Sequence, residues 1–97
     1  LILGYYKMAG LNKTLQKEDI EVKPNPASDN ISVKVNCNND ETFIVDIHNS
    51  VGQSLLQTKL KCNTENLLKI NHLQQGVYSI IIKTSFKTQS FKLIILK

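Results

Sequence analysis

Short β-type runs recur along most of this chain, and turn-forming residues separate them at intervals of roughly ten residues. In the clearest run, residues 31–37, apolar and polar side chains alternate strictly, with Ile31, Val33, Val35 and Cys37 on one face and Ser32, Lys34 and Asn36 on the other. This alternation is typical of an antiparallel strand that has one face in the core and one in solvent. The spacing predicts an all-β sandwich or barrel rather than alternating helices and strands.

The other runs extend this prediction to about seven short strands. Proline fixes φ and lacks a backbone donor, so Pro24 and Pro26 should end the first strand. A hairpin is expected at residues 84–88. The predicted strands cover residues 20–23, 31–37, 42–49, 53–61, 67–70, 77–83 and 90–97.

Residues 73–83 contain a nearly uninterrupted apolar run, in which apolar side chains occupy both odd-numbered and even-numbered positions. This pattern predicts a central strand that is partly covered on both faces. We expect a turn with positive φ at the glycine before it, Gly76, and another at Gly52. The ring of Tyr78 is expected in the core, with its hydroxyl reaching a backbone partner or the surface.

The chain has 97 residues, 41% of them hydrophobic, which suits one small domain with a modest core. Because the composition changes at residue 20, we interpret residues 1–19 as a linker or the end of a preceding passenger domain, and residues 20–97 as the domain itself. No apolar run approaches the roughly 20 residues that a membrane-spanning helix needs. The chain does not begin with methionine, so we expect a fragment or processed product.

The formal net charge of +4 comes entirely from lysine, since the chain contains no arginine. Nucleic-acid readers favour arginine for bidentate contacts, and these lysines are scattered along the predicted strands. Lysines on strands commonly protect sheet edges from pairing. The charge pattern therefore argues against a nucleic-acid partner.

Two cysteines, Cys37 and Cys62, lack the C-x-x-C spacing of a zinc or redox site. In an exported protein they could pair, which would stabilise the fold by about 3 kcal/mol. Each lies at a predicted strand end, however, and nothing in the sequence places the two side by side. We therefore favour free thiols over a disulfide.

Candidate catalytic or metal-binding groups are sparse. His48 is expected to face outward beside Asp46, on the same strand face, but no third metal ligand is evident. His72 lies in a connector and is expected to cap a turn. Ser50 lacks the nucleophile-elbow motif of a hydrolase, and the acidic residues form no evident catalytic pair. The sequence predicts neither enzymatic activity nor a cofactor.

Three motifs follow one another along residues 20–97. They are the turn Pro24-Asn25-Pro26-Ala27, the segment 47–53 ending in Gly52-Gln53, and Leu73-Gln74-Gln75-Gly76-Val77-Tyr78, and a final strand bearing Lys92 and Lys97 follows them. In this order they resemble the C-terminal sorting domain of the type IX (Por) secretion system of Bacteroidetes. Two cysteines are unusual in that family.

The resemblance implies an Ig-like antiparallel β-sandwich and a non-catalytic secretion signal. It implies that the domain directs a passenger through the periplasm and across the outer membrane to the cell surface or medium. The implied partners are the outer-membrane secretion machinery and a sortase-like peptidase that removes the domain. Recognition is expected at the last strand, residues 90–97, and at the exposed face around Gly76, because a strand at a sheet edge can be captured by strand addition.

The alternative function is an Ig-like adhesive or carbohydrate-binding module that remains on the mature surface protein. Such a module should expose aromatic side chains in its loops, whereas most of the aromatic residues here fall on predicted strands or before residue 20. We expect a monomer. In the isolated fragment, residues 1–19 could also exchange between two copies to give a swapped dimer.

Overall fold

A computed structural model describes residues 19–85 and 87–97, which form a sandwich of two antiparallel β-sheets. The predicted all-β sandwich is thereby confirmed. The strands of the described part are β1 (Ile20–Lys23), β2 (Asn30–Val35), β3 (Thr42–His48), β4 (Ser54–Lys61), β5 (Asn66–Lys69), β6 (Gly76–Lys83) and β7 (Thr88–Ile95).

The two sheets contain three and four strands. The first has the order β1-β2-β5 and the second β4-β3-β6-β7, and every neighbouring pair is antiparallel. In a constant-type Ig domain the fourth strand belongs to the sheet of the first, second and fifth strands. Here β4 instead forms a hairpin with β3, so the four-stranded sheet has β4 and β7 at its edges.

The core lies between the sheets because apolar and polar residues alternate along the strands. On β2, Ile31, Val33 and Val35 are fully buried, whereas Ser32 and Lys34 on the opposite face are only partly covered. Burial of one such aliphatic side chain contributes about 1.5–3 kcal/mol. The predicted central strand is confirmed, since β6 lies between β3 and β7. The other fully buried side chains are Phe43, Val45, Ile47, Ile70, Ile80, Ile82, Leu93 and Ile95.

The sandwich has two distinct ends. At one end, β1 begins next to the end of β2 and the β6–β7 hairpin connects its strands; this end also holds a disulfide, and we call it the disulfide end. At the other end lie the turn at residues 24–27, the β3–β4 turn, the start of β6 and the end of β7. We call this the motif end, because all three sequence motifs reach it.

The expectation of free thiols is wrong, because Cys37 and Cys62 form a disulfide. Cys37 follows β2 in one sheet and Cys62 follows β4 in the other, and their Cα atoms are 5.7 Å apart. The backbone of the neighbouring Asn63 brings the two segments together, since its N–H donates to the carbonyl of Val35 at 2.8 Å. The two cysteines are 25 residues apart in sequence, so local pattern does not reveal that they meet.

One of the two predicted positive φ angles is present. Gly52 has φ of 83° in the β3–β4 turn, where a side chain would be strained. Gly76 does not have a positive φ; it is the first residue of β6 and pairs with Ile95. A Cβ atom at Gly76 would lie 3.6 Å from the Tyr78 ring, an ordinary contact.

Some expectations fall outside the described residues. These are the linker or passenger assignment of residues 1–19, of which only Asp19 is described, and any strand exchange by that segment. The final strand begins two residues earlier than predicted, at Thr88, and ends at Ile95. Within the described residues, no helix has the length and apolar character needed to cross a membrane.

Candidate recognition site at the motif end

Asn25 closes part of the outer edge of β7. It lies between two prolines whose X-Pro bonds are both cis, and its side-chain amide bonds to the backbone of β7. Its Nδ2 donates to the carbonyl of Lys92 at 2.9 Å, and its Oδ1 accepts from the N–H of Ile94 at 3.0 Å. The amide side chain thus takes the place of a peptide group from a neighbouring strand.

Ala27 continues this closure two residues later. Its N–H donates to the carbonyl of Ile94 and its carbonyl accepts from the N–H of Leu96, both at 2.8 Å, as a parallel bridge opposite Ile95. Ala27 is 3% exposed and packs into the core. Asn25 and Ala27, which we call the edge latch, therefore bind the backbone of β7 from Lys92 to Leu96. Such covering prevents an edge strand from pairing with another chain.

The Leu73–Tyr78 motif anchors the connector between β5 and β6. Leu73 is buried, and its N–H donates to the carbonyl of Ile70 at 2.9 Å. The Tyr78 ring packs in the core, and its hydroxyl donates to the carbonyl of Gln74. The predicted position of Tyr78, with a buried ring and a backbone partner for its hydroxyl, is confirmed.

The last residue is held at the same end of the molecule. The N–H of Lys97 donates to Gln75 Oε1 at 3.0 Å, and its Nζ donates to the carbonyl of Asn71 at 3.1 Å. Lys97 Nζ also lies 3.9 Å from Asp29 Oδ1. These contacts connect the end of the chain to the β5–β6 connector and to the segment between β1 and β2.

An exposed apolar patch lies beside these contacts, on the outer face of the four-stranded sheet. Val77 on β6 is 54% exposed and stands directly opposite Ile94 on β7. Leu96, two residues beyond Ile94, is 53% exposed. We call Val77, Ile94 and Leu96 the apolar patch. Lys92, on the same strand face as Ile94, adds a positive charge at its border.

The remaining motif residues, Gly52 and Gln53, lie at the same end of the sandwich as the apolar patch. Their described hydrogen bonds are local: Gln53 N–H donates to Asn49 Oδ1 at 2.9 Å, and Gly52 N–H donates to the Asn49 carbonyl at 3.0 Å. The structure thus joins Pro24–Pro26, Leu73–Tyr78 and the last strand by direct contacts. It leaves the Gly52-Gln53 turn as a separate structural feature.

Sequence reasoning missed several residues of this end. Local sequence patterns do not predict the contacts made by the backbone of Ala27, the carboxylate of Asp29 and the amide of Gln75. Ile94 and Leu96 did leave a signal, because they share the parity of Lys92 on the final strand and are apolar on a face that should be polar.

Asp46 is the centre of a polar cluster on the outer face of the same sheet. As predicted, His48 lies on that face beside it, with Nε2 3.1 Å from Asp46 Oδ1. Ser54 Oγ donates to Oδ1 at 2.6 Å, and Lys83 Nζ lies 3.9 Å from Oδ2. The Ser54 hydrogen bond, followed by the effects of His48 and Lys83, holds the pKa of Asp46 below its ordinary 3.8, although burial acts in the opposite direction.

This cluster does not have the arrangement of a catalytic triad. In a triad the serine hydroxyl bonds to the histidine, and the carboxylate orients that histidine. Here Ser54 donates directly to the carboxylate, and His48 Nε2, although close to the same oxygen, lacks hydrogen-bond geometry to any partner. No group of three His, Cys, Asp or Glu side chains that could hold a metal ion occurs in residues 19–85 and 87–97.

The fold and the site define a class of protein before any comparison. A small antiparallel sandwich carries a closed terminal edge and an exposed apolar patch, and its polar cluster lacks catalytic geometry. A contiguous exposed apolar patch bordered by polar residues is the kind of surface with which proteins bind partners. These features define a small β-sandwich domain with a candidate recognition surface.

Comparison with known families makes the assignment specific. The family described as "Secretion system C-terminal sorting domain" matches residues 21–96, which are 76 of the 97 residues, and this chain belongs to that family. The search of curated proteins returned no match. The domain is therefore a C-terminal sorting signal for type IX secretion, the system of Bacteroidetes. Membership implies interaction with the type IX machinery and export to the cell surface or medium.

Proposed function

We propose that the domain acts as a folded, non-catalytic sorting signal, and that the outer-membrane machinery binds its motif end. The observation that carries this proposal is the apolar patch, which includes Val77 of the Leu73–Tyr78 motif and lies beside the edge latch. Two of its members, Val77 and Leu96, are more than half exposed although they are apolar. A binding partner would remove them from water and gain roughly 25 cal/mol per Å² of apolar surface buried.

The edge latch affects how the last strand can be recognised. Strand addition along residues 92–96 would require the machinery to displace Asn25 and Ala27, which already bind that edge. The apolar patch is exposed without any such rearrangement. We therefore place initial recognition on the outer face formed by the start of β6 and the end of β7, with Lys92 at its border.

The passenger would be attached at the opposite end. The family match starts at residue 21 and β1 starts at Ile20, which supports a domain boundary after residue 19 and a linker or passenger before it. Asp19, at the start of β1, accepts a hydrogen bond from the N–H of Asn36 at the disulfide end. The two-ended arrangement leaves the motif end accessible while a passenger is attached.

Transit through the periplasm, and removal of the domain by a sortase-like peptidase at the cell surface, complete the proposal. The disulfide supports the periplasmic step, because such bonds form and persist in oxidising compartments. The described aromatic residues Phe43, Tyr78 and Phe91 lie on strands and are buried or half-buried, which offers no support for the carbohydrate-binding alternative.

Paired substitutions in a passenger fusion test the recognition surface. Val77→Ser with Leu96→Ser removes the exposed side chains of the apolar patch and should leave the passenger in the periplasm of type IX-competent cells. The control is Leu67→Ser, since this apolar side chain is 67% exposed on β5, in the other sheet and away from the apolar patch. The control should be exported normally, and circular dichroism should show both variants folded. Mass spectrometry of the exported passenger should find no peptide from residues 20–97.

Normal export of the patch variant would reject the proposed surface, and retention of residues 20–97 on the mature passenger would favour an adhesive module. These substitutions are cleaner than deletion of residues 91–97. That deletion removes Leu93 and Ile95, both fully buried, and would disrupt the core.

A further inference from the structure

The disulfide between Cys37 and Cys62 is a covalent modification at the end of the sandwich opposite the proposed recognition surface. It joins the loop after β2 to the end of β4 and so links the two sheets at the disulfide end. The two cysteines are the only ones in the chain. An oxidant must therefore have accepted two electrons from this pair, and no other thiol of the domain can exchange with it.

The two cysteine residues differ in their burial and in their backbone contacts. Cys62 is 5% exposed and belongs to the core, and its N–H donates to the carbonyl of Glu41 at 2.8 Å. Cys37 is half-buried and lies in the loop beyond the last residue of β2, where its N–H donates to Asn63 Oδ1 at 2.8 Å. In a folded, reduced domain, a reagent from solvent would reach Cys37 before Cys62.

We propose that the domain is a substrate for a disulfide-bearing oxidase, that Cys37 forms the mixed disulfide and Cys62 resolves it, and that this happens before the domain crosses the outer membrane. The proposal rests on the proposed function for its compartment. The Cα atoms of the bonded pair are 5.7 Å apart, which is the common span of a disulfide, so the backbone of the folded sandwich accommodates this bond.

The Cys37 thiolate attacks the disulfide of the oxidase, forming a bond between Cys37 Sγ and one oxidase sulfur and releasing the other as a thiolate. The Cys62 thiolate then attacks Cys37 Sγ, which forms the Cys37–Cys62 bond and releases the second oxidase thiolate. The domain loses two protons and two electrons, and the oxidase disulfide becomes a dithiol.

The timing is tested on the full-length protein with its passenger. In cells whose outer-membrane type IX machinery is inactivated, the periplasmic precursor is acid-quenched and treated with a maleimide of high mass. Peptide mapping should show Cys37 and Cys62 unmodified before reduction and both modified after it. Two free thiols in the periplasmic precursor would overturn the proposal. A passenger that never reaches the periplasm, or that leaves the cell without the machinery, would instead contradict the proposed function.

The order of attack is tested with single variants in the same cells. Cys62→Ser leaves Cys37 without its resolving partner and should accumulate a reductant-sensitive adduct with a cellular protein, mapped to the Cys37 peptide. Cys37→Ser should accumulate several-fold less. Equal adducts, a larger adduct in Cys37→Ser, or none in either variant would overturn the assigned roles.

Discussion

At the scale of single residues, Asp46 is a carboxylate on an outward face that is nevertheless only 5% exposed. A buried carboxylate is tolerated when hydrogen bonds and nearby cations compensate for lost hydration. It is surrounded by Ser54 and Gln57 on β4, by Lys83 on β6 and by His48 on its own strand. The Asp46 side chain thus connects β3 to both β4 and β6 on the outer face of the sheet, opposite the core.

Ser54→Ala should destabilise the domain by about 1 kcal/mol at neutral pH, because it removes the shortest hydrogen bond to this charged group. The lowered pKa of Asp46 means that its contribution is fully present above its ordinary value of 3.8 and is lost as the pH falls through the lower folded-state pKa. The difference between variant and wild type should therefore shrink as the pH falls below 3.8 and through the lowered pKa of Asp46. Urea unfolding at several pH values measures this.

The control is Ser90→Ala, an exposed serine on the same outer face, which should change stability little at any pH. A Ser54→Ala deficit that stays constant from neutral to strongly acidic pH would show that the hydroxyl does not act through the ionised carboxylate.

At the scale of elements, β7 illustrates how a terminal strand is protected. It pairs with β6 on one side, and on the other side the edge latch binds its second half. Both latch residues belong to the segment that follows β1 in the other sheet, so the latch also holds the two sheets together at the motif end. The prolines on either side of Asn25 prevent that segment from continuing as an ordinary strand, because they lack backbone donors.

Asn25→Ala should release the N–H of Ile94 and the carbonyl of Lys92 from their partners. We expect faster hydrogen exchange at the Ile94 amide and a loss of about 1–2 kcal/mol in unfolding free energy, the sum of two ordinary hydrogen bonds. Asn71→Ala is a suitable control, since Asn71 contributes its backbone carbonyl to the motif end. Unchanged protection of the Ile94 amide in Asn25→Ala would mean that the latch does not stabilise the edge.

At the scale of the whole molecule, the sandwich is fastened differently at its two ends. Non-covalent contacts of the edge latch and of Lys97 connect the sheets at the motif end, and a disulfide connects them at the disulfide end. The total free energy of unfolding of a small domain is about 5–15 kcal/mol, so the contribution of one disulfide is a large fraction of it. The link also lies away from the surface proposed for recognition.

Cys37→Ala with Cys62→Ala should lower the unfolding free energy by about 3 kcal/mol, because the crosslink closes a loop between residues that are 25 apart. Urea denaturation of the oxidised wild type and the double variant measures the difference. The reduced wild type retains both sulfur atoms and should resemble the double variant. If it instead matches the oxidised protein, the crosslink does not stabilise the fold.

The sequence by itself determined the strands, their inward faces and the family motifs. These depend on local information: side chains alternate with a period of two along a strand, and proline, asparagine and glycine define turns within a few residues. Ile31, Val33 and Val35 were assigned to the core on this basis alone, and Gly52 to a turn with positive φ. The same local reasoning was wrong at Gly76, where β6 begins in an ordinary extended conformation.

Only the tertiary structure decided which distant segments meet. Asn25 bonds to residues 67 and 69 positions away, and Cys37 bonds to a cysteine 25 positions away. Such contacts depend on the order of strands in the two sheets and on the end of the sandwich at which each loop lies. The hydrophobic periodicity of the sequence specifies neither. The apolar patch is defined in the same way, because Val77 and Ile94 become neighbours only through the register of β6 with β7.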